Sequence, residues 1–241
     1  MLKKLKEIVI KEQFEPSWLG LLTNPFYIAR KGLLKSIKEC SPEIKGKTLD
    51  VGCGTKPYEK YFSSKQYIGL EIDTTMNRDI KKADYFYDGN KFPFGNNEFD
   101  SIVTNQVFEH VFNPSQFLKE INRVLKTEGK ILMTVPFVWD EHEQPYDFAR
   151  YSSFGLKSVL TENGFEIVKH IKSVNDFRVL VQLLNGFIYK KSVNTPLLKQ
   201  LLTIFVMFPI NIFGIAIAKL LPSNDDLYLD NIILAKKVKD V

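Results

Sequence analysis

The sequence predicts an α/β fold built on a mostly parallel sheet. Three features predict it: short apolar runs of strand length, amphipathic helical stretches between them, and a glycine-containing turn directly after the first run. Residues 1–46 read as a helical N-terminal extension broken at Pro16 and Pro25, with Leu2, Leu5 and Val9 at helical spacing among Lys3, Lys4, Lys6 and Lys11. From residue 47 the rhythm changes, and TLDVGCG (48–54), YIGLEID (67–73), DSIVTNQV (100–107) and KILMTVPF (130–137) are the strand candidates. The segment before the fourth of these is a helix. Asn113 is its N-cap, Pro114 its first position and Gly129 its expected stop, and Phe117, Leu118, Ile121, Val124 and Leu125 form its packing face. A further helix ends at Gly164, the strand FEIVKHIKSV follows, and LYLDNIILAKKV (227–238) holds a last buried strand. The expected organisation is therefore the extension 1–46 and one α/β domain, 47–241, carrying an apolar helical insertion at 176–224.

Composition limits the function classes. With 241 residues, 44% of them hydrophobic and 25% charged, the chain has an ordinary globular balance, which rules out wholesale disorder. Two cysteines, Cys40 and Cys53, make neither a disulfide framework nor a four-thiolate zinc site and point to a reducing compartment. The start lacks the continuous apolar core of a signal peptide, so a cytoplasmic location is expected. A net charge of +5 permits contact with an anionic surface without indicating nucleic acid, and no nucleic-acid partner is expected.

The segment LDVGCGTKPY carries the most chemistry. Gly52 and Gly54 follow a buried strand and precede PYEKYF, read as a short helix opened by Pro57. Glycines there let a ligand approach the backbone, and a helix N-terminus adds free N–H groups. Glu71 ends the next strand, where a carboxylate can accept both hydroxyls of a ribose. A dinucleotide site would place a third glycine where Pro57 stands, and Asp50 beside the turn would repel a pyrophosphate. The same carboxylate favours a cationic nucleoside, and S-adenosylmethionine, with its ammonium and sulfonium, fits. Asp88 in YDGNKFPF is placed to meet the adenine amino group, or to cap its turn.

In these motifs the chain resembles the class I S-adenosylmethionine-dependent methyltransferases, especially the bacterial type-11 group. LDVGCGTKPY resembles the first motif, YIGLEID the second, and YDGNKFPFGNNEFD the adenine-side loop and fourth strand. TNQVFEHVFNPSQFLKEINRVLKTEGKILMTVP resembles the group's fourth-to-fifth-strand segment, and HEQPYDFARYSSFGL resembles a subgroup found with bacterial cell-surface polysaccharide genes. The resemblance implies a Rossmann-like, seven-stranded sheet with one antiparallel strand. It also implies a cofactor site lined by Asp50, Gly52, Gly54, Glu71, Asp88 and Asn105 or Gln106, with Cys53 inside the loop. Glu71 departs from the commoner Asp, and its longer arm reaches the same hydroxyls.

Methyl transfer requires alignment of acceptor and donor, and a base if the acceptor is a hydroxyl. His110 and His142 follow the fourth and fifth strands, at the edge where such sites form, whereas His170 lies inside a strand. His142 is the candidate base, with Asp147 or Glu143 to orient it and Arg150 and Tyr151 to bind the acceptor or fix the loop. The alternative for Asp147 and Arg150 is a cap and ion pair at the next helix. Some relatives bind a divalent ion through an ExxEH sequence here. This chain has Gln106 in place of the first acid, leaving Glu109 and His110 unless His142 joins them, and no metal site is expected. Amino methylation of adenine or glutamine is disfavoured by TNQV, and cytosine chemistry by the placement of Cys53.

Finally, residues 201–218 contain no charge, and Pro209, Asn211 and Gly214 are expected to divide the run into helices too short to cross a bilayer. Peripheral contact of residues 196–221 with the inner face of the cytoplasmic membrane, a lid over a lipid-like acceptor, or simple burial all follow from such a run. The expected reaction is O-methylation of a saccharide or lipid-linked cell-surface intermediate. The alternatives are methylation of a lipophilic small molecule such as a quinone, a degenerate module that holds the cofactor without catalysis, and an NAD-binding oxidoreductase, which Asp50 and Pro57 disfavour.

Overall fold

The computed structural model describes residues 2–241. In chain order its helices and strands are α1 (Leu2–Phe14), α2 (Gly20–Thr23), α3 (Tyr27–Cys40), β1 (Lys45–Val51), β2 (Ser63–Ile72), α4 (Thr75–Ile80), β3 (Tyr85–Tyr87) and β4 (Phe99–Asn105). They continue with α5 (Pro114–Val124), β5 (Leu125–Pro136), α6 (Ser153–Glu162), β6 (Phe165–Ser173), α7 (Arg178–Ser192), α8 (Pro196–Leu202), α9 (Phe208–Ala218) and β7 (Asp230–Lys237). The strands form one seven-stranded sheet in the order β3-β2-β1-β4-β5-β7-β6. β1 to β5 pair in parallel, so the C-terminal ends of these strands share one edge, where ligand-binding loops of open α/β sheets collect.

The chain divides into two compact units. The larger comprises Ile37–Phe137, Glu141–Ile171 and Asn231–Val241. Its core is built from the apolar faces of β1, β2, β4 and β5 (Leu49, Val51, Leu70, Ile102, Ile131 and Met133 among them) against Phe117, Leu118 and Ile121 of α5. Asn113 caps α5 as expected, accepting from Gln116 N, with Pro114 opening the helix. The smaller unit comprises the segment up to Ser36, Val138–Asp140 and Lys172–Asp230, with Ile28, Val174, Val179, Val181 and Leu229 buried together.

Three local expectations are corrected. Gly129 does not stop α5: the helix ends at Val124 and β5 starts at once, with Gly129 inside a bulge. Phe99 pairs with Leu125 and Ser101 with Lys130, so the extra residues bow out, with Glu128 at φ 62°. The segment after Pro57 is no helix able to present an N-terminus, only a 3-10 turn at Glu59–Tyr61. And Pro209 does not divide the apolar run. A π-helical segment, Thr203–Met207, joins α8 to α9 and leaves one continuous helix, Leu197–Ala218. A wider i→i+5 turn just before Pro209 relieves the ring clash and the missing donor that a regular helix would suffer there.

Candidate active site

β1 delivers Asp50 to the shared edge, and its loop turns back through two left-handed glycines, Gly52 at φ 72° and Gly54 at φ 54°. Gly52 has a second reason to lack a side chain: a Cβ there would lie 2.3 Å from Val107 Cγ2, just past the end of β4. The loop is hung from β2 by Gly52 N and Cys53 N, both donating to Leu70 O. Cys53 is buried and its thiol is pushed up to about 12, chiefly by burial, so it packs rather than reacts.

Strand alternation sends Tyr67, Gly69 and Glu71 to one face of β2 while Ile68 and Leu70 enter the core. Tyr67 Oη donates to Asp50 Oδ2 at 2.7 Å. Glu71 Oε2 accepts from Gly54 N at 3.1 Å, which ties the ribose candidate to the glycine turn. A Cβ on Gly69 would strike Lys56 Cε and Cys53 Sγ, so the bare strand position makes room for the loop. Lys56, at φ 55°, pairs with Asp84 Oδ2 at 2.5 Å. Asp50 is 3% exposed, and burial raises its carboxyl from 3.8 to about 7 against the lowering effects of Tyr67 and Lys56. A buried carboxyl of this kind gains from a cation beside it. Asp50, the Gly52–Gly54 turn and Glu71 thus lie together at one strand edge, joined by the Gly54–Glu71 bond and by the support of β2, with Tyr67 and Lys56 as neighbours the sequence reading missed. Alternation along β2 was the signal for Tyr67.

Asn105 and Gln106 lie at the end of β4. Gln106 is held at φ 53° with its N–H donating to Thr134 O at 2.9 Å and its side chain to Thr134 Oγ1 at 3.3 Å. Asp88, exposed after β3, accepts from Asn90 N at 2.9 Å, the turn-capping arrangement weighed for it above.

The second cluster lies in the loops after β4 and β5. Glu109 and His110 sit in a 3-10 turn, and Glu109 O receives Phe148 N and Ala149 N, which fastens the 141–150 loop to that turn. Arg150 grips Asp147 with both terminal nitrogens, at 2.5 and 2.6 Å, and holds that carboxyl down to about 2. Asp147 Oδ2 accepts His142 N at 2.9 Å and lies 3.3 Å from His142 Nδ1; Arg150 Nη2 is also 3.3 Å from that nitrogen. Of the expected neighbours of His142, Asp147 and Arg150 are therefore at hand, in the ion pair weighed as the alternative, whereas Glu143 is exposed and lies 3.9 Å from His110 Nε2 and Tyr151 packs against Phe108. His110 Nδ1 faces Tyr146 O at 2.7 Å, which fits an N–H donated there and leaves Nε2 towards Glu109 Oε1 at 3.9 Å. The rings of His110 and His142 are 4.9 Å apart, and His142 Nε2 is 4.0 Å from Glu109 Oε1. Ligand atoms of Glu109, His110 and His142 thus lie within 4.8 Å of one another, which is the joining of His142 on which a metal reading depended. Two imidazoles and one carboxylate suit a transition ion better than magnesium. His170 is remote in role: its Nε2 meets Asn231 Oδ1 at 2.9 Å between β6 and β7.

The seven-stranded sheet and its order have the architecture of a class I S-adenosylmethionine-dependent methyltransferase domain, and comparison with known proteins agrees. The methyltransferase domain family designated Methyltransf_11 matches residues 49–133. An uncharacterized protein of Methanocaldococcus jannaschii is 30% identical over 161 residues, covering 61% of this chain and 77% of that protein. Among solved structures, phosphoethanolamine N-methyltransferase 2 of Haemonchus contortus, bound to S-adenosylmethionine, is 18% identical with a TM-score of 0.56, covering 96% of this chain and 57% of that one. The cyclase SpnF has the same TM-score at 19% identity, covering 87% of this chain and 82% of its own. The chain belongs to the class I S-adenosylmethionine-dependent methyltransferases.

Proposed function

We propose that this methyltransferase acts on a hydroxyl of a saccharide or lipid-linked intermediate of the cell surface, at the inner face of the cytoplasmic membrane, which residues 196–221 contact. The observation that carries the hydroxyl assignment is the Arg150–Asp147–His142 arrangement. A hydroxyl, unlike an amine with its free lone pair, must lose a proton as it is methylated, and a positioned imidazole is the usual acceptor for it.

When bound, S-adenosylmethionine supplies a methyl carbon already activated on a sulfonium. Asp50 would meet the positive methionine end, the Gly52–Gly54 turn would let the ligand lie against backbone, and Glu71 would accept the ribose hydroxyls. Asp88 and Asn105 or Gln106 would flank the adenine side. Asp147, kept ionised by Arg150, accepts the backbone N–H of His142 and lies 3.3 Å from Nδ1, which fixes the ring; the tautomer required is the one that leaves the lone pair on Nε2. His142 Nε2 would take the proton of an acceptor hydroxyl directed at it, leaving the acceptor oxygen free to receive the methyl group.

Transfer of label from methyl-radiolabelled S-adenosylmethionine into fractionated cell extract tests this reading. Label in a base-stable ether on a glycan or lipid-linked glycan is expected. Label confined to a quinone-like fraction favours the lipophilic small-molecule alternative, and no label beside retained cofactor binding favours a module that binds without catalysis.

A further inference from the structure

Helices α7, α8 and α9 carry large apolar side chains on their outward side. In the continuous helix Leu197–Ala218 the buried positions are Thr203, Met207, Asn211 and Gly214, spaced by four, four and three residues along one face. The outward positions are large and apolar: Leu201, Phe205, Ile212, Phe213 and Ile217, with Phe205 71% and Phe213 68% exposed. α7 buries Gln182, Asn185 and Gly186 beside Val179 and Val181, while Leu180, Leu184 and Phe187 face outward at i, i+4 and i+7. The inner polar groups join the elements. Asn185 Nδ2 donates to Asn211 Oδ1 at 2.8 Å, and Gln182 receives Ala29 N and donates to Pro25 O, each at 3.1 Å. Gly214 leaves room for Val181, whose Cγ2 would be 2.4 Å from an added Cβ. Amides and glycines share the inner face with Val179, Val181 and Met207, while the large Leu, Ile and Phe side chains stand outside, as on helices that meet an apolar solvent. In water this arrangement exposes a continuous apolar face.

We infer that this outward face of α7, α8 and α9 lies in the plane of an anionic phospholipid bilayer, buried to headgroup depth. The inference rests on the membrane contact proposed above and specifies its surface, orientation and lipid. Lysines border the face: Lys191 in the last turn of α7, Lys199 in α8 and Lys219 after α9, with Lys190 nearby paired to Asp140 at 2.9 Å. Their charge complements an anionic leaflet and opposes a second copy of the same lysine-bordered face. The continuous helix is roughly 33 Å long at 1.5 Å per residue, enough to cross. Crossing is countered by the connections. α7 is joined to α8 by a turn containing Asn194 and Thr195 beside Lys190 and Lys191, a polar end that would have to pass through the hydrocarbon. Asn224 N donates to Asn175 O at 2.7 Å, so the chain leaves the helical pair where it entered.

Flotation of the full chain with vesicles tests the inference. Binding is expected to vesicles containing phosphatidylglycerol, to fall about fivefold for each of Lys191, Lys199 and Lys219 replaced by Gln, and to be weak on pure phosphatidylcholine. The double variant Phe205→Glu with Phe213→Glu, at two exposed positions, is expected to lose flotation while still binding S-adenosylmethionine in calorimetry. That second readout separates failure of the membrane surface from failure of the methyltransferase site. A wild-type chain that stays soluble with both vesicle types, or that light scattering shows as a dimer whose apolar face is already covered, overturns the inference. Resistance of vesicle-bound protein to alkaline carbonate extraction overturns the in-plane orientation.

Discussion

Cofactor affinity is expected to depend steeply on pH through Asp50. Its carboxyl titrates near 7 in the ligand-free protein because it is buried, and a cationic ligand needs it ionised. With a midpoint at 7, about a tenth of the molecules carry the anion at pH 6 and about three quarters at pH 7.5. The apparent affinity for S-adenosylmethionine should therefore rise about eightfold over that interval, equivalent to about 1.2 kcal/mol. The ligand's own α-amino group titrates near 7.7–8.0, so the rise should flatten and reverse above that range. The same shift acts on stability with the opposite sign. The folded state holds a proton that the unfolded chain releases above 3.8, so ligand-free stability should fall by up to about 4 kcal/mol between pH 4 and pH 7. Tryptophan or calorimetric titrations at pH 6.0, 6.5, 7.0 and 7.5, with Asp50→Asn in parallel, measure the binding effect. The variant should bind more weakly at pH 7.5 and show a flat profile. An equally steep profile in Asp50→Asn would refute the assignment of the dependence to this carboxyl.

Other outcomes follow from the same geometry. Tyr67→Phe removes a hydrogen bond that favours the Asp50 anion and should move the binding midpoint upward by about one pH unit, the equivalent of one such bond; an unmoved midpoint would refute the coupling. His142→Ala should lower kcat by about 10²–10⁴-fold with little change in cofactor affinity, and equal losses in both would place His142 in binding instead. The Arg150 ion pair depresses Asp147 to about 2, so its contribution should be complete above pH 4 and vanish as pH falls through 2; acid-unfolding curves of Arg150→Gln should therefore lie at higher pH than wild type. Because Glu109, His110 and His142 converge, dialysis against a chelator decides between base and metal roles. A proton-accepting His142 predicts retained turnover, while loss restored by a divalent transition ion would assign the cluster to a metal.

The parallel sheet was legible because β1, β2, β4 and β5 are buried on both faces and read as apolar runs, and the caps of α5 and α6 are made by the residues whose chemistry demands them. The boundary between α5 and β5 was not legible, since Lys126, Thr127 and Glu128 are exposed in a bulge and carry no strand pattern. Asp50, the glycine turn and Glu71 were legible as one unit because strand and loop spacing alone bring them together. Tyr67 was passed over as a strand aromatic, although its parity with Glu71 assigned it to the same face. The meeting of His142 with Glu109 and His110 depends on a loop folded back onto a turn thirty residues earlier, which no local pattern records. The apolar run showed its length but not its continuity, because the π segment before Pro209 is a tertiary accommodation rather than a propensity.

Isothermal calorimetry of S-adenosylmethionine against the wild-type chain and Glu71→Ala at pH 7.5 is the most direct measurement. The grouping of Asp50, the Gly52–Gly54 turn and Glu71 at one strand edge predicts saturable one-to-one binding by the wild type, weakened by about ten- to a hundredfold in the variant through loss of charged hydrogen bonds. Absence of heat at millimolar ligand, or equal affinity in the two proteins, would contradict it.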